Sequence, residues 1–329
     1  MRVLVTGAAG FIGAHVCERL LARGDTVLGL DALDRAPGDV ALRRSRLARL
    51  SGTRGFTFLA GDLADAARLR EAFALARPEG VVHLAARVGV RAPDAEAPAY
   101  ADTNVTGFVR VLEGCREAKV AHLVYASSSS VYGAATPAPF REDAPVDQPL
   151  NLYGATKRAN ELMAHAYSHL HRLPTSGLRF FTVYGPWGRP DMAPLLFLRA
   201  LARGEPLVLH GEGRMRRDFT FVDDVVEAVL RVLDRPPRLT SESPPQRLLN
   251  VGHGEPVALG DFVALLERHW GTKARVTSVP AGAAEMASTW ADSSRLELET
   301  GFRPRVSVDE GVARLVAWYR QWTDTPAGR

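Results

Sequence analysis

A glycine-rich turn set between a short apolar run and a helix constrains this chain more than any other feature. Thr6-Gly7-Ala8-Ala9-Gly10-Phe11-Ile12-Gly13 follows Arg2–Thr6, which reads as a buried first strand. The turn opens Phe11–Arg23, where Phe11, Ile12, Val16, Leu20 and Leu21 recur at helical spacing and Gly24 ends the pattern. Glycine permits a tight turn and the close approach of a pyrophosphate, and the helix N-terminus adds unpaired N–H donors and a positive dipole end. A glycine triplet alone is an ordinary turn. With a strand before it and a helix after it, Gly7, Gly10, Phe11, Ile12 and Gly13 read as a dinucleotide-binding turn.

The rest of the first half fits that start. Thr26–Asp31, Phe56–Leu59, Gly80–Leu84 and His122–Ala126 read as further strands, with helical segments at Ala64–Ala76, Ala99–Glu117 and Tyr153–Leu170. Alternating β and α at this spacing predicts an α/β fold of the Rossmann type, a doubly wound parallel sheet. Ser176–Tyr184 reads as one more strand and Pro186–Met192 as a loop. Leu248–Val251 reads as a short strand returning to the main sheet. The expected organisation is a Rossmann unit over 1–185, rejoined by 221–253. A smaller substrate lobe follows from 186–220 and 254–322, and 323–329 is a frayed tail.

Composition excludes other classes. The chain has 329 residues, 46% of them hydrophobic and 24% charged, ordinary for a globular protein. Arg43, Arg44, Arg46 and Arg49 make the densest basic cluster, and a solvated helix face is the expectation there; no nucleic-acid reader motif accompanies it. The two cysteines, Cys17 and Cys115, read as buried, reduced thiols, and no metal-ligand spacing is present. Met1-Arg2-Val3 runs straight into the first strand without a signal peptide, and no apolar stretch reaches membrane-spanning length, so the expected location is cytoplasmic.

Two clusters carry chemistry. Asp31 closes the second strand 18 residues after Gly13, where a carboxylate accepts from ribose hydroxyls and repels a 2′-phosphate; the expected cofactor is NAD. Leu84-Ala85-Ala86 ends the fourth strand with small residues that let a cofactor lie close to the sheet. Tyr153-Gly154-Ala155-Thr156-Lys157 puts a phenol and an ammonium one helical turn apart. A phenol ionises near pH 10 when unperturbed, and a neighbouring cation lowers that value. Ala126-Ser127-Ser128-Ser129-Ser130 sets hydroxyls at the carboxyl edge of a parallel strand, where ligands bind in such sheets.

Together these motifs resemble the extended short-chain dehydrogenases that act on nucleotide sugars, over about residues 1–320. The Gly-x-x-Gly-x-x-Gly spacing is similar to that family's variant of the turn. Leu178-Arg179-Phe180-Phe181-Thr182-Val183-Tyr184-Gly185-Pro186-Trp187-Gly188-Arg189-Pro190-Asp191-Met192-Ala193 resembles the signature of the UDP-glucuronate 4-epimerase subfamily. Ala159–His165, His83–Ala86 and Met215–Asp224 are also similar to it. The resemblance implies a catalytic set of Tyr153, Lys157 and Ser128. It implies an adenine contact at Gly61-Asp62-Leu63, and substrate contacts at Ser128, Ser129, Ser130, Thr182 and Arg189. Arg217 is implied at the UDP diphosphate, with Arg91 near that region. Where subfamily members carry Pro-Gly-Asp, this chain has Ala283-Ala284-Glu285, and Glu285 is implied as a ribose contact. Arg189 has a plainer alternative, an ion pair with Asp191. The implied reaction interconverts UDP-glucuronate and UDP-galacturonate through a 4-keto sugar, with Tyr153 as base. A UDP-glucose 4-epimerase, a UDP-glucuronate decarboxylase and a non-catalytic NAD-binding regulator are the competing readings. The implied assembly is a homodimer pairing through the helices near Ala99–Glu117 and Tyr153–Leu170.

Overall fold

The computed structural model describes residues 1–33, 40–89, 96–240, 243–280 and 286–323. Arg91 and Glu285 lie outside the described residues.

Strands β1 (Arg2–Thr6), β2 (Thr26–Asp31), β3 (Phe56–Ala60), β4 (Gly80–His83), β5 (His122–Ser128), β6 (Thr175–Phe180) and β10 (Gln246–Val251) form one sheet in the order β10-β6-β5-β4-β1-β2-β3. Every pairing in it is parallel. The chain steps outward from β1 to β3 and then in the other direction from β4, so the direction reverses between β1 and β4. A crevice opens at the strand ends of such a reversal, and the glycine turn lies there.

The sheet is apolar on both faces. Val3 and Val5 of β1 face one core with α1 (Phe11–Ala22), α8 (Val222–Leu233) and α11 (Val308–Thr323). Leu4 faces the other core with α3 (Ala66–Ala76) and α5 (Gly107–Glu117), whose Phe108, Val111, Leu112 and Cys115 are fully buried. Both cysteine thiols are buried and free, and burial pushes each of them up.

Two small sheets stand apart. β7 (Thr182–Tyr184), β9 (Arg216–Phe221) and β11 (Pro256–Ala258) form one; β8 (Leu207–His210) and β12 (Val276–Val279) form the other. The run Ser176–Tyr184 is therefore two strands. Phe181 donates to the Val251 carbonyl at the edge of the main sheet, and from Thr182 the chain pairs with Phe219 of β9 instead. The expected single helix over Ala99–Glu117 is also broken: α4 (Ala97–Tyr100) passes into a π-helical stretch, Ala101–Thr106, before α5 begins. Helix α2 (Val40–Leu50) corrects the basic cluster. Arg43 and Arg46 are buried at 9% and 4% exposure, so the cluster is not a solvated face. Among the described residues no helix is long and apolar enough to cross a membrane.

Candidate active site

The glycine turn is built for close approach. Gly7 has φ +75°, and a Cβ on Gly13 would stand 2.0 Å from the Gly7 carbonyl oxygen. On the other side of Gly7, a Cβ would meet the Ala85 nitrogen at 2.8 Å, so Leu84-Ala85 runs directly beside the turn. No side chain caps α1 and no acid stands in its first turn. The N–H groups of Phe11, Ile12 and Gly13 thus lack intrahelical acceptors and face the crevice with an uncompensated positive dipole end.

Asp31 ends β2 beside this turn. Its carboxylate accepts from the Ala9 N–H at 3.0 Å and the Leu33 N–H at 2.8 Å. Burial pushes its pKa up, against those two bonds and the charges of Arg43 and Arg46. Asp62 follows β3, half-buried, and accepts from the Ala64 N–H at 2.9 Å; Leu63 is buried. These residues line one stretch of strand ends, as the sequence placed them.

At the end of β5, Ser127 and Ser128 fall on opposite faces by the alternation of a strand, and Ser129 and Ser130 follow in a short turn. The Ser127 hydroxyl points inward and donates to Glu161 at 2.6 Å. The Ser128 oxygen caps the short turn Ser129–Val131, accepting from the Ser130 N–H at 3.1 Å, and the Ser128 hydroxyl contacts that of Ser130 at 3.2 Å. Helix α6 (Leu152–His171) begins against this turn. Asn151 caps it, its side chain accepting from the Gly154 N–H at 2.8 Å. A Cβ on Gly154 would lie 2.6 Å from the Ser130 carbonyl oxygen, so glycine here lets the helix start reach the serine turn.

Tyr153 and Lys157 project from that first turn. Burial raises the pKa of the phenol, while the nearby Ser128 hydroxyl and the Arg189 charge pull it down. Lys157 is 1% exposed and donates to the Ala126 carbonyl at 2.9 Å. Its ammonium lies 5.9 Å from the Tyr153 ring centre, and burial lowers it to about 8. Behind the pair, His83 is held to the Thr6 hydroxyl at 2.8 Å and lowered to about 3, first by burial and then by Lys157, so it is a neutral imidazole.

Asn104 belongs to this constellation and was missed. Its amide oxygen accepts from the Arg87 N–H at 2.8 Å. Its amide nitrogen donates to the Arg87 carbonyl and to the Thr156 hydroxyl, and its carbonyl accepts from Asn160. The signal was an asparagine inside a helical pattern, a residue helices tolerate poorly in their interior; π-helical turns concentrate at functional sites.

Three substrate candidates come from the second sheet and the loop that follows β7. Ser128 is the register partner of Phe180, so Thr182, two residues on and half-buried, lies just beyond the strand end beside it. Arg189 pairs with exposed Asp191 at 3.1 and 2.5 Å, while its charge reaches Tyr153 and Tyr100. The ion pair is the arrangement present, and a pair with an exposed acid is weak enough to exchange for a ligand. Arg217, on β9, is half-buried and donates to the Arg216 carbonyl at 2.9 Å. Separately, a cavity of about 330 Å³ between α7 (Ala193–Arg203) and β8, lined by Leu196, Ala200, Arg203 and Val208, touches none of the residues picked from the sequence. Among the described residues no His, Cys, Asp and Glu group is arranged to hold a metal.

A strand–glycine turn–helix joined to a Ser/Tyr/Lys set on one parallel sheet matches the NAD dependent epimerase/dehydratase family over residues 3–252. The chain belongs to that family. Within it, a probable UDP-glucuronate 4-epimerase of Rhizobium meliloti is 44% identical, over 98% of this chain and 97% of the relative. The crystal structure of UDP-glucuronic acid 4-epimerase from Bacillus cereus, in complex with UDP-glucuronic acid and NAD, superposes with a TM-score of 0.88 at 31% identity, covering 98% and 99% of the two chains. A UDP-glucose 4-epimerase from Thermotoga maritima, solved with UDP-glucose, reaches 0.87 at 27% identity, over 98% and 99%. The two solved relatives share the fold almost equally, so the fold does not choose between an acidic and a neutral sugar.

Proposed function

We infer that this chain is an NAD-dependent UDP-glucuronate 4-epimerase, interconverting UDP-glucuronate and UDP-galacturonate through a transient 4-keto sugar. The observation that carries the reading is Arg189, a cation whose charge is felt at Tyr153 and whose ion-pair partner is an exposed acid. The 44% identity to the Rhizobium relative supports the same substrate.

The residues fit NAD. A Cβ would fill the space at Gly7 and Gly13, α1 offers free donors to a pyrophosphate, and the Asp31 carboxylate disfavours a 2′-phosphate. NAD would supply the acceptor for the C4 hydride and the donor that returns it to the other face of the sugar. Tyr153 takes the C4 hydroxyl proton and gives it back. Ser128, whose hydroxyl pulls the pKa of the phenol down, is assigned to orient the reacting oxygen and favour the phenolate. Lys157, already oriented by the Ala126 carbonyl, is the residue to hold the cofactor ribose and favour ionisation of Tyr153.

A ketone at C4 is β to the uronate carboxyl, and such acids lose CO₂ when the carboxylate aligns with the carbonyl π system. Arg189, Thr182 and the Ser128–Ser130 hydroxyls are assigned to hold the carboxylate out of that alignment. Arg217 is assigned to the diphosphate. A homodimer in the cytoplasm, paired through α5 and α6, completes the proposal. Leu162 and Leu170 support it, standing 54% and 68% exposed on α6.

The test is incubation of the purified protein with UDP-glucuronate, followed by NMR of the sugar. UDP-galacturonate without CO₂ is expected. A pentose product reassigns the chain as a decarboxylase. Turnover of UDP-glucose but not of UDP-glucuronate reassigns it as a neutral-sugar epimerase.

A further inference from the structure

Arg46 lies outside the Ser/Tyr/Lys set, yet it is the side chain that joins the two halves of the site. A buried guanidinium needs acceptors, and three of those it has are main-chain carbonyls from two distant loops. Nε donates to Trp187 O at 2.8 Å, Nη2 to Gly188 O at 2.8 Å, and Nη1 reaches Ala9 O at 3.4 Å. Ala9 belongs to the glycine turn. Trp187 and Gly188 immediately precede Arg189. A guanidinium is planar and holds its donors in a rigid fork, so one side chain fixes the spacing of the two loops.

The bond to Gly188 O matters most. That oxygen lies in the peptide plane leading into Arg189, and holding it fixes the rotation of the plane and hence the direction in which the Arg189 side chain leaves. The preceding residue is under restraint as well. Trp187 has φ +62°, a left-handed conformation unusual outside glycine, and such conformations persist only where the surroundings over-determine them. Arg49, one turn after Arg46, stacks its guanidinium on the Trp187 ring at 4.7 Å, and Trp318 of α11 packs 5.2 Å away. The Gly188 N–H closes the turn on Gly185 O at 3.1 Å.

We propose that Arg46 is a positioning residue that sets the stance of Arg189 toward the sugar carboxylate by tying the Trp187-Gly188 turn to the glycine turn. The proposal rests on the assignment of Arg189 to the carboxylate and adds the device that aims it. UDP shares everything with the substrate except the sugar, so it reports the nucleotide site without the carboxylate.

The experiment measures affinity for UDP-glucuronate and for UDP by titration calorimetry, with bound NAD quantified in each preparation. Full-length Arg46→Gln, Arg46→Lys and Arg189→Ala are each made in a Tyr153→Phe background that suppresses turnover. Arg46→Gln is expected to lose at least tenfold in affinity for UDP-glucuronate and less than twofold for UDP, with NAD content unchanged. Arg46→Lys keeps the charge but cannot span three carbonyls, and is expected to fall between; it carries the measurement if the glutamine variant does not fold. Equal losses for both ligands would mean general loosening and would overturn the proposal. So would unchanged affinities in the Arg46 variants while Arg189→Ala loses UDP-glucuronate selectively. If Arg189→Ala treats the two ligands alike, the carboxylate assignment itself fails and takes this proposal with it.

Discussion

Lys157 is buried at 1% exposure with the Ala126 carbonyl as its acceptor, and burial lowers its pKa to about 8 against an ordinary value near 10.4. The sign follows from proton counting. Between those two values the unfolded chain holds the proton and the folded chain does not, so stability rises with pH through that window and is lowest below about 8. Urea unfolding at pH 7.5 and 9.5 is expected to show a Lys157-dependent gain of about 2 kcal/mol at the higher pH, absent in Lys157→Met. A methionine variant as pH-dependent as the parent would mean that the lysine is not held in an apolar site. Arg189→Ala is expected to cut kcat/KM for UDP-glucuronate at least tenfold while NAD stays bound, read by steady-state kinetics and cofactor absorbance. Normal turnover would remove Arg189 from the site. At this scale the sequence was most informative where chemistry sits on one helix: Tyr153 and Lys157 meet because they are one turn apart. Arg46 was illegible, because its burial depends on a loop arriving 141 residues later in the chain. Asn104 left one mark, an asparagine within a helical pattern, but the π-helical stretch that aims it has no compositional mark of its own.

Helix α6 and strand β5 are locked together by two devices, one of backbone and one of charge. Gly154 lets the first turn of α6 sit on the Ser130 carbonyl, with no room for a methyl group. Gly154→Ala is expected to displace Tyr153 from Ser128 and lower kcat at least tenfold, with KM changed less than threefold. A kcat within twofold of the parent would show that the helix start accommodates the methyl. One turn beyond Lys157, Glu161 accepts from the Ser127 hydroxyl and both arms of Arg179, at 2.6, 2.8 and 2.9 Å, with both charged partners 1% exposed. Breaking one side of a buried pair leaves an uncompensated charge. Glu161→Gln is therefore expected to cost about 3–5 kcal/mol in chemical denaturation; a loss below 1 kcal/mol would mean that water or another acid replaces it. The strands of the main sheet were readable because a parallel sheet covered on both faces demands continuous apolar runs. The same property hid the break at Phe181. Polar residues stand on both sides of it, Ser176 and Arg179 before and Thr182 after, so no change of residue type marks where the chain leaves one sheet for the other.

For the whole molecule, the arrangement follows from that break. β6 delivers Phe180 beside Ser128, and two residues later Thr182 enters the second sheet, so substrate candidates from one sheet stand over catalytic candidates from the other. The outer face of α6 exposes Ala155, Leu162, Ala166 and His169 at helical spacing, with Leu170 beside them. In the proposed dimer, the two leucines exposed on this 20-residue helix would pack on a second copy of the chain. A two-fold axis would bring α6 against α6, where each leucine meets the same face of its partner. Leu162→Glu combined with Leu170→Glu puts carboxylates into that contact and repels them across the axis. Light scattering on the eluting protein is expected to read a dimer for the parent and a single 35.7 kDa chain for the double variant. If the monomer folds, which circular dichroism checks directly, kcat is expected to stay within about threefold. A parent that elutes as a monomer, or a double variant that remains dimeric, would move the interface away from α6.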